Sequence, residues 1–146
     1  IEEQHNNVQC MQNVVTSLVL EGVFERFPGL RVVLVEGGIA WAPALKWRLD
    51  KHWKRLKGEV PHLKRLPSEY IREHIWFTTQ PLDEPGRDGD LTAIFESVGT
   101  DRIMFSTDYP HWDFDEPSFV QSKLQLAPAK MQRIFGGNAI ELYGLK

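Results

Sequence analysis

Three short apolar runs rich in β-branched and aromatic residues, LRVVLVEGG, HIWFTTQ and DRIMFSTDYP, alternate along this chain with segments of helical period. Strands that alternate with helices build parallel βα units, whose crossovers lay helices over the sheet. In such units the loops that follow the carboxyl ends of the strands carry the functional groups. The residues that end the three runs are therefore the ones to weigh: Glu36, then Thr78, Thr79 and Gln80, then Ser106, Thr107 and Asp108.

The intervening segments fill in the pattern. Val8, Met11, Val15, Leu18, Val19 and Val23 recur at three- and four-residue steps, which predicts a helix from about Val8 to Phe27. Phe27-Pro28-Gly29 stops it, and LRVVLVEGG reads as a strand buried on both faces. A long helix is predicted from Ile39 to about Lys57, with Pro43 in its first turn. After Pro67 a short helical turn precedes the strand HIWFTTQ, and the Pro-, Gly- and Asp-rich QPLDEPGRDGD leads into the helix LTAIFESVG. The third strand is followed by a loop, a helix near Pro117 to Leu126, and a last helical stretch that starts near Pro128.

An eight-stranded barrel needs about 250 residues, whereas this chain has 146 residues and three strand-like runs. It opens on Ile1 rather than Met. The expectation is one partial domain over residues 1–146, of α/β class. With 17 Lys and Arg against 20 Asp and Glu, the net charge of −3 gives no electrostatic footprint for nucleic acid or an anionic membrane, and a small-molecule substrate fits better. Cys10 is the only cysteine, so no intrachain disulfide forms and the cytoplasm is the default compartment. No run of about 18 apolar residues is present to span a bilayer. An exposed sheet edge needs covering, so self-association is expected unless an upstream segment covers it.

Asp108 follows IMFST and precedes Tyr109-Pro110-His111. A carboxylate there either binds a divalent metal or takes a proton from metal-bound water, or it caps the turn before Pro110. His111 is a ligand, proton shuttle or substrate contact on one reading and a loop His bonded to backbone on the other. Trp112, with Tyr109 and Phe114, either walls an apolar ligand pocket or packs the loop onto neighbouring helices, and packing takes the larger share. Asp113, Asp115 and Glu116 precede Pro117, which favours a helix start over chemistry. Glu36 in VEGG is a second strand-end acid, placed where glycines let backbone approach closely. Arg48 either pairs with Asp50 at the surface or reaches a ligand carboxylate through its planar donor fork. The remaining histidines, His5, His52, His62 and His74, show no metal-site spacing.

GVFERFPGLRVVLVEGGIAWAPALKWRLDKHW, PSEYIREHIWFTTQP, DRIMFSTDYPHWDFDEP and GGNAIELYGL together resemble the amidohydrolase-related family that includes aminocarboxymuconate-semialdehyde decarboxylase-like proteins. The resemblance covers nearly the whole chain. Its most specific element is the strand-end Asp in F-x-[ST]-D-Y-P-H, followed about 30 residues on by G-N-A-x-x-L-Y-x-L. It implies the C-terminal portion of a (β/α)8 TIM barrel, with the three strands similar to the sixth, seventh and eighth and an HxH pair upstream. It also implies a metal-dependent hydrolase of C–O or C–N bonds, or a non-oxidative decarboxylase, that uses a divalent metal ion. Zinc is the first expectation for that ion, at a site this chain holds only in part. By the same resemblance Asp108 is a metal ligand or the catalytic acid. Glu36 stands where many members carry a metal-site His. Arg48 matches a position near the substrate carboxylate in decarboxylase-like relatives.

Overall fold

The computed structural model describes residues 2–146, and of Glu3, Gln4 and Asp88 the backbone alone. Among the described residues run α1 (Glu2–Leu20), α2 (Val23–Arg26), β1 (Val32–Leu34), α3 (Trp41–Leu56), α4 (Pro67–His74), β2 (Ile75–Thr78), α5 (Asp88–Val98), β3 (Ile103–Met104), α6 (Pro117–Lys123), α7 (Pro128–Gln132) and α8 (Asn138–Tyr143). The strands form one three-stranded sheet in the order β1-β2-β3. β2 and β3 run parallel, with Phe77 opposite Ile103 and Thr78 opposite Met104. This is the alternation predicted from the sequence. No described helix is long and apolar enough to cross a membrane. The chain divides into two compact units, residues 1–33 with 41–75 and residues 34–40 with 76–146.

In the first unit the predicted opening helix is two helices. The apolar stripe runs unbroken through the junction, but the backbone turns at Gly22, whose φ of 68° lies in the left-handed region. The Gly22 N–H donates to the Val19 carbonyl at 3.0 Å, an end-of-helix bond that glycine makes without a Cβ penalty. Space is the second constraint. A Cβ on Gly22 would stand 2.5 Å from His62 Cδ2, and His62 is held there by its Nε2, 2.6 Å from the Leu20 carbonyl.

Helix α4 is the eight-residue form of the short turn expected after Pro67. Pro67 occupies its first position, where a missing N–H costs nothing. The Glu69 carboxylate reaches back to the Leu66 N–H at 2.8 Å, and Asp50 accepts the Ser68 N–H at 2.9 Å. Asp50 is thus a helix-start acceptor rather than simply a surface partner for Arg48. His74 ends α4 instead of opening β2. Its ring is buried and stacked 4.5 Å from that of Phe24, and its Nδ1 lies 2.9 Å from the Leu30 carbonyl. Tyr70, 1% exposed, gives its hydroxyl proton to Glu25 and accepts the Lys64 N–H at 3.1 Å. Lys64 Nζ also lies 3.1 Å from Glu25. The Tyr70 hydroxyl first, and then Lys64, hold the Glu25 carboxyl below its usual range.

β1 is shorter than LRVVLVEGG and is not buried on both faces: Val32 and Val33 are half-buried and Val35 is 50% exposed. Its place at the edge of the sheet leaves it one neighbour. β2 is buried at all four positions.

In the second unit α5 packs Leu91, Phe95 and Val98 into a core with Ile103, Val120 and Ile134. Each such side chain contributes about 1.5–3 kcal/mol by leaving water. β3 is two residues long because Thr100–Arg102 before it form a 3₁₀ turn and the chain after it pairs elsewhere. The Phe105 N–H donates to the Ile134 carbonyl at 2.9 Å, and the Phe105 and Phe135 rings stack at 4.5 Å. Asn138, 1% exposed, fastens the last helix to this strand through Nδ2, which donates to the Thr100 carbonyl at 2.8 Å and the Ile103 carbonyl at 2.6 Å.

Three stability changes are expected. Gly22→Ala should cost about 1–2 kcal/mol from backbone strain alone, plus the displacement of His62; in urea melts, adding His62→Ala recovers the steric part and leaves the backbone part. Asn138→Leu strands two buried carbonyls and should cost about 1–3 kcal/mol, while Asn138→Asp, with no proton to give at neutral pH, should be no better. Glu25 has a depressed folded-state pKa, so its contribution is fully present above its unfolded value and is lost as pH falls through the folded one. Glu25→Gln should therefore destabilise the chain at pH 7 and make little difference near pH 3.

Candidate active site at the strand ends

The carboxyl ends of β2 and β3 are joined by side chains that continue the ladder where the strands stop. The Thr79 N–H donates to the Met104 carbonyl at 3.0 Å. The Ser106 N–H then donates to Thr79 Oγ1 at 3.1 Å, and the Gln80 N–H to Ser106 Oγ at 3.3 Å. On the other side Thr78 Oγ1 accepts the Glu36 N–H at 3.3 Å, while its single proton faces the carbonyls of Leu34, 3.4 Å, and Gln80, 3.5 Å. Hydroxyls can do this because each offers one donor and two acceptor sites. The strands thus end without stranding their buried backbone groups, and the chain is free to turn.

It turns at the two acids singled out in the sequence. Glu36 and Asp108 each have φ of 58°, the left-handed region that few non-glycine residues occupy. Such conformations cost of order 1–3 kcal/mol and concentrate at functional sites. The peptide bonds Gln80-Pro81 and Tyr109-Pro110 are cis.

Beyond Asp108 the chain closes on itself. The His111 N–H donates to the Asp108 carbonyl at 2.8 Å, and the Asp115 N–H to the Thr107 carbonyl at 3.0 Å. This brings Asp108, His111 and Asp113 together, with one ligand-type atom from each within 4.8 Å of the others. His111 Nδ1 lies 2.8 Å from Asp113 Oδ1 and 3.4 Å from Asp108 Oδ2. The bond to Asp113 raises the imidazole pKa above its ordinary value, and the charges of Asp108, Asp113 and Glu36 add to the rise. Two carboxylates and an imidazole are the donor set that zinc and other first-row divalent ions accept.

The loops are tied to one another by two further acids. Asp83 Oδ2 accepts the N–H groups of Ile39 and Ala40, both at 2.9 Å. Gly38, at φ 62°, passes so close that a Cβ would meet Asp83 Oδ2 at 3.4 Å. Asp115 Oδ2 accepts the Leu82 N–H at 2.9 Å, and burial raises its carboxyl above the usual range against the lowering effect of that bond.

Of the residues proposed from the sequence, Asp108 and His111 meet directly, and Glu36 acts on His111 through its charge. Trp112 is 75% exposed beside His111, with ring centroids 6.4 Å apart. Tyr109 is 74% exposed and meets Phe114 edge-on at 5.5 Å. The packing favoured for these aromatics is therefore absent for Tyr109 and Trp112. Arg48 is exposed on α3 in the first unit, whereas the other four lie in the second. The sequence favours a helix start for Asp113, whereas in the structure its carboxylate is the partner of His111. The spacing His-x-Asp, which puts a carboxylate within reach of the ring across a tight turn, was the available signal. Asp83 is one acid of several in the polar loop QPLDEPGRDGD, and nothing in the sequence sets it apart.

The sequence profile of the family described as Amidohydrolase matches residues 7–145. A γ-resorcylate decarboxylase from Polaromonas sp. (strain JS666) is 29% identical over 130 residues, which cover 88% of this chain and 38% of that protein. Among solved structures, an amidohydrolase from Mycobacterium avium subsp. paratuberculosis K-10 superposes with a TM-score of 0.80 at 25% identity, covering 96% of this chain and 34% of its own. A dihydroxybenzoic acid decarboxylase from Polaromonas sp. JS666, with bound manganese and the inhibitor 2-nitroresorcinol, gives 0.73 at 27% identity, covering 94% and 41%. The chain thus spans well under half the length of the proteins it matches. The parallel strands with flanking helices correspond to part of their TIM barrel. A family profile that matches nearly every residue, and a fold that superposes along nearly the whole chain, lead to one conclusion: this chain belongs to the amidohydrolase family.

Proposed function

We propose that residues 1–146 form part of a single barrel domain and supply one side of the active site of a metal-dependent enzyme, either a hydrolase of C–O or C–N bonds or a non-oxidative decarboxylase, acting on a small molecule. The observation that carries the reading is the meeting of Asp108, His111 and Asp113 just past the end of β3. Asp108 is the residue that would hold a divalent cation or act as the acid, and Glu36, the other strand-end carboxylate, is the second candidate ligand. The bound cation would polarise a substrate oxygen or lower the pKa of a bound water. His111, exposed beside Asp108, and Trp112, exposed beside His111, are the candidate substrate contacts. Arg48 is the candidate for a substrate carboxylate, on the family resemblance alone.

The manganese in the related decarboxylase supports a divalent ion, and zinc remains the ion first expected here. Decarboxylase relatives favour that arm of the reading, and hydrolysis is its alternative within the family. A silent chain that pairs through its sheet edge is a different reading, which no observation favours over the enzyme.

Asp108→Asn tests the assignment in a form of the protein that carries the upstream residues. A group that moves a proton in the transition state contributes roughly 10²–10⁴-fold, so kcat/KM should fall by that order, and metal content by elemental analysis should fall if Asp108 is a ligand. Unchanged turnover and unchanged metal would remove Asp108 from the site. Comparing zinc and manganese content in the same preparation identifies the ion.

A further inference from the structure

The loop from Thr107 to Asp115 is more firmly built than its exposure suggests. Hydrogen bonds close it at Asp108–His111 and Thr107–Asp115. Asp113 is held from behind, because Gln80, 2% exposed, aims its Nε2 at the Asp113 carbonyl at 3.4 Å. Asp115 fastens the next turn of chain to the Leu82 N–H. The Asp113 carboxylate therefore faces His111 from a fixed position, and its Oδ1 engages Nδ1 at 2.8 Å. Asp108 Oδ2 faces the same nitrogen at 3.4 Å.

A carboxylate oxygen can only accept, so the hydrogen in this bond belongs to Nδ1 whether the ring is neutral or charged. The other ring nitrogen, Nε2, then carries the free lone pair, on a side chain that is 58% exposed. Which nitrogen of an imidazole is presented is set by the bond that the other one makes.

We propose that Asp113 is a positioning residue that fixes the Nδ1–H tautomer and the orientation of His111, so that Nε2 is the atom His111 offers to the substrate. This deepens the reading of His111 as a substrate contact and rests on it. Asp113 rather than Asp108 sets the tautomer, because its contact with Nδ1 is a hydrogen bond of 2.8 Å whereas Asp108 lies 3.4 Å from the same nitrogen, too far to hold that proton as firmly.

The test is ¹⁵N NMR of the His111 ring in the full chain, at a pH where the ring is neutral, in the wild type, Asp113→Ala and Asp113→Asn. In the wild type Nδ1 should carry the proton and Nε2 should show the shift of an unprotonated ring nitrogen. Asp113→Ala should move most of the population to the Nε2–H tautomer and leave the other histidines unchanged. Asp113→Asn keeps an oxygen acceptor of the same size and should retain the wild-type tautomer, which also guards against a folding defect in the alanine variant. A predominantly Nε2–H ring in the wild type, or an Nδ1–H ring that survives in Asp113→Ala, would overturn the assignment. No turnover or metal is needed, so failure of this assignment and failure of the proposed function give different results.

Discussion

Much of what this chain can do follows from how β2 and β3 end. A parallel strand that stops in a buried place leaves amide and carbonyl groups with no partner, and each costs about 1–3 kcal/mol if abandoned. Here threonine and serine hydroxyls take over from the backbone ladder, Thr79 and Ser106 in exchange and Thr78 toward Glu36. Only because those groups are satisfied can the chain leave the sheet at once and adopt a left-handed turn at Asp108, with a second at Glu36. The acids are placed by backbone geometry, and that geometry is stabilised by hydroxyls of the strand ends, Ser106 and Thr79 beside Asp108 and Thr78 beside Glu36.

The alternation of strands and helices was legible because it is written in periodicity, and the strand-end acids followed from the direction of parallel strands. The helix break at Gly22 is hidden in the sequence because Val19 and Val23 continue the apolar stripe across it, while the left-handed turn there and the remote His62 that crowds it are set by the folded structure. β1 and β3 are shorter than their β-branched runs suggest for a related reason. β-branched residues announce an extended backbone, but pairing depends on neighbours that the sequence does not display, and β1 has one neighbour while the chain past β3 pairs with Thr79 and Ile134. The roles of Asp113, Asp83 and Asp115 were illegible for the same cause. Each acts on a residue that local composition gives no reason to associate with it, except for the close pair His111 and Asp113.

The two units rest on different chemistry. The first is organised around polar groups set into an apolar interior, with Tyr70 shared between Glu25 and Lys64 and His74 stacked on Phe24. The second buries Thr78, Thr79 and Gln80 where its strands end and Asn138 at the start of its last helix, all four neutral side chains that serve backbone groups. The GNA sequence that marks the end of the chain is thus first a structural fastening. It keeps the strand that carries Asp108 attached to the helix behind it.

The bonds from Asp83 to Ile39 and Ala40 join a loop that follows β2 to one that follows β1. Loops at the rim of a barrel are usually regarded as independent parts, free to lengthen or shorten as substrates change. These two are not independent. A residue inserted on either side would pull the carboxylate out of register with the amides it serves, or push Gly38 into it, so the pair must diverge in step. The aromatic turn after Asp108 is bound into the same set, through Asp115 to the Leu82 amide and through Gln80 to the Asp113 carbonyl, so a change of length in any one of the three loops has to be answered in the others.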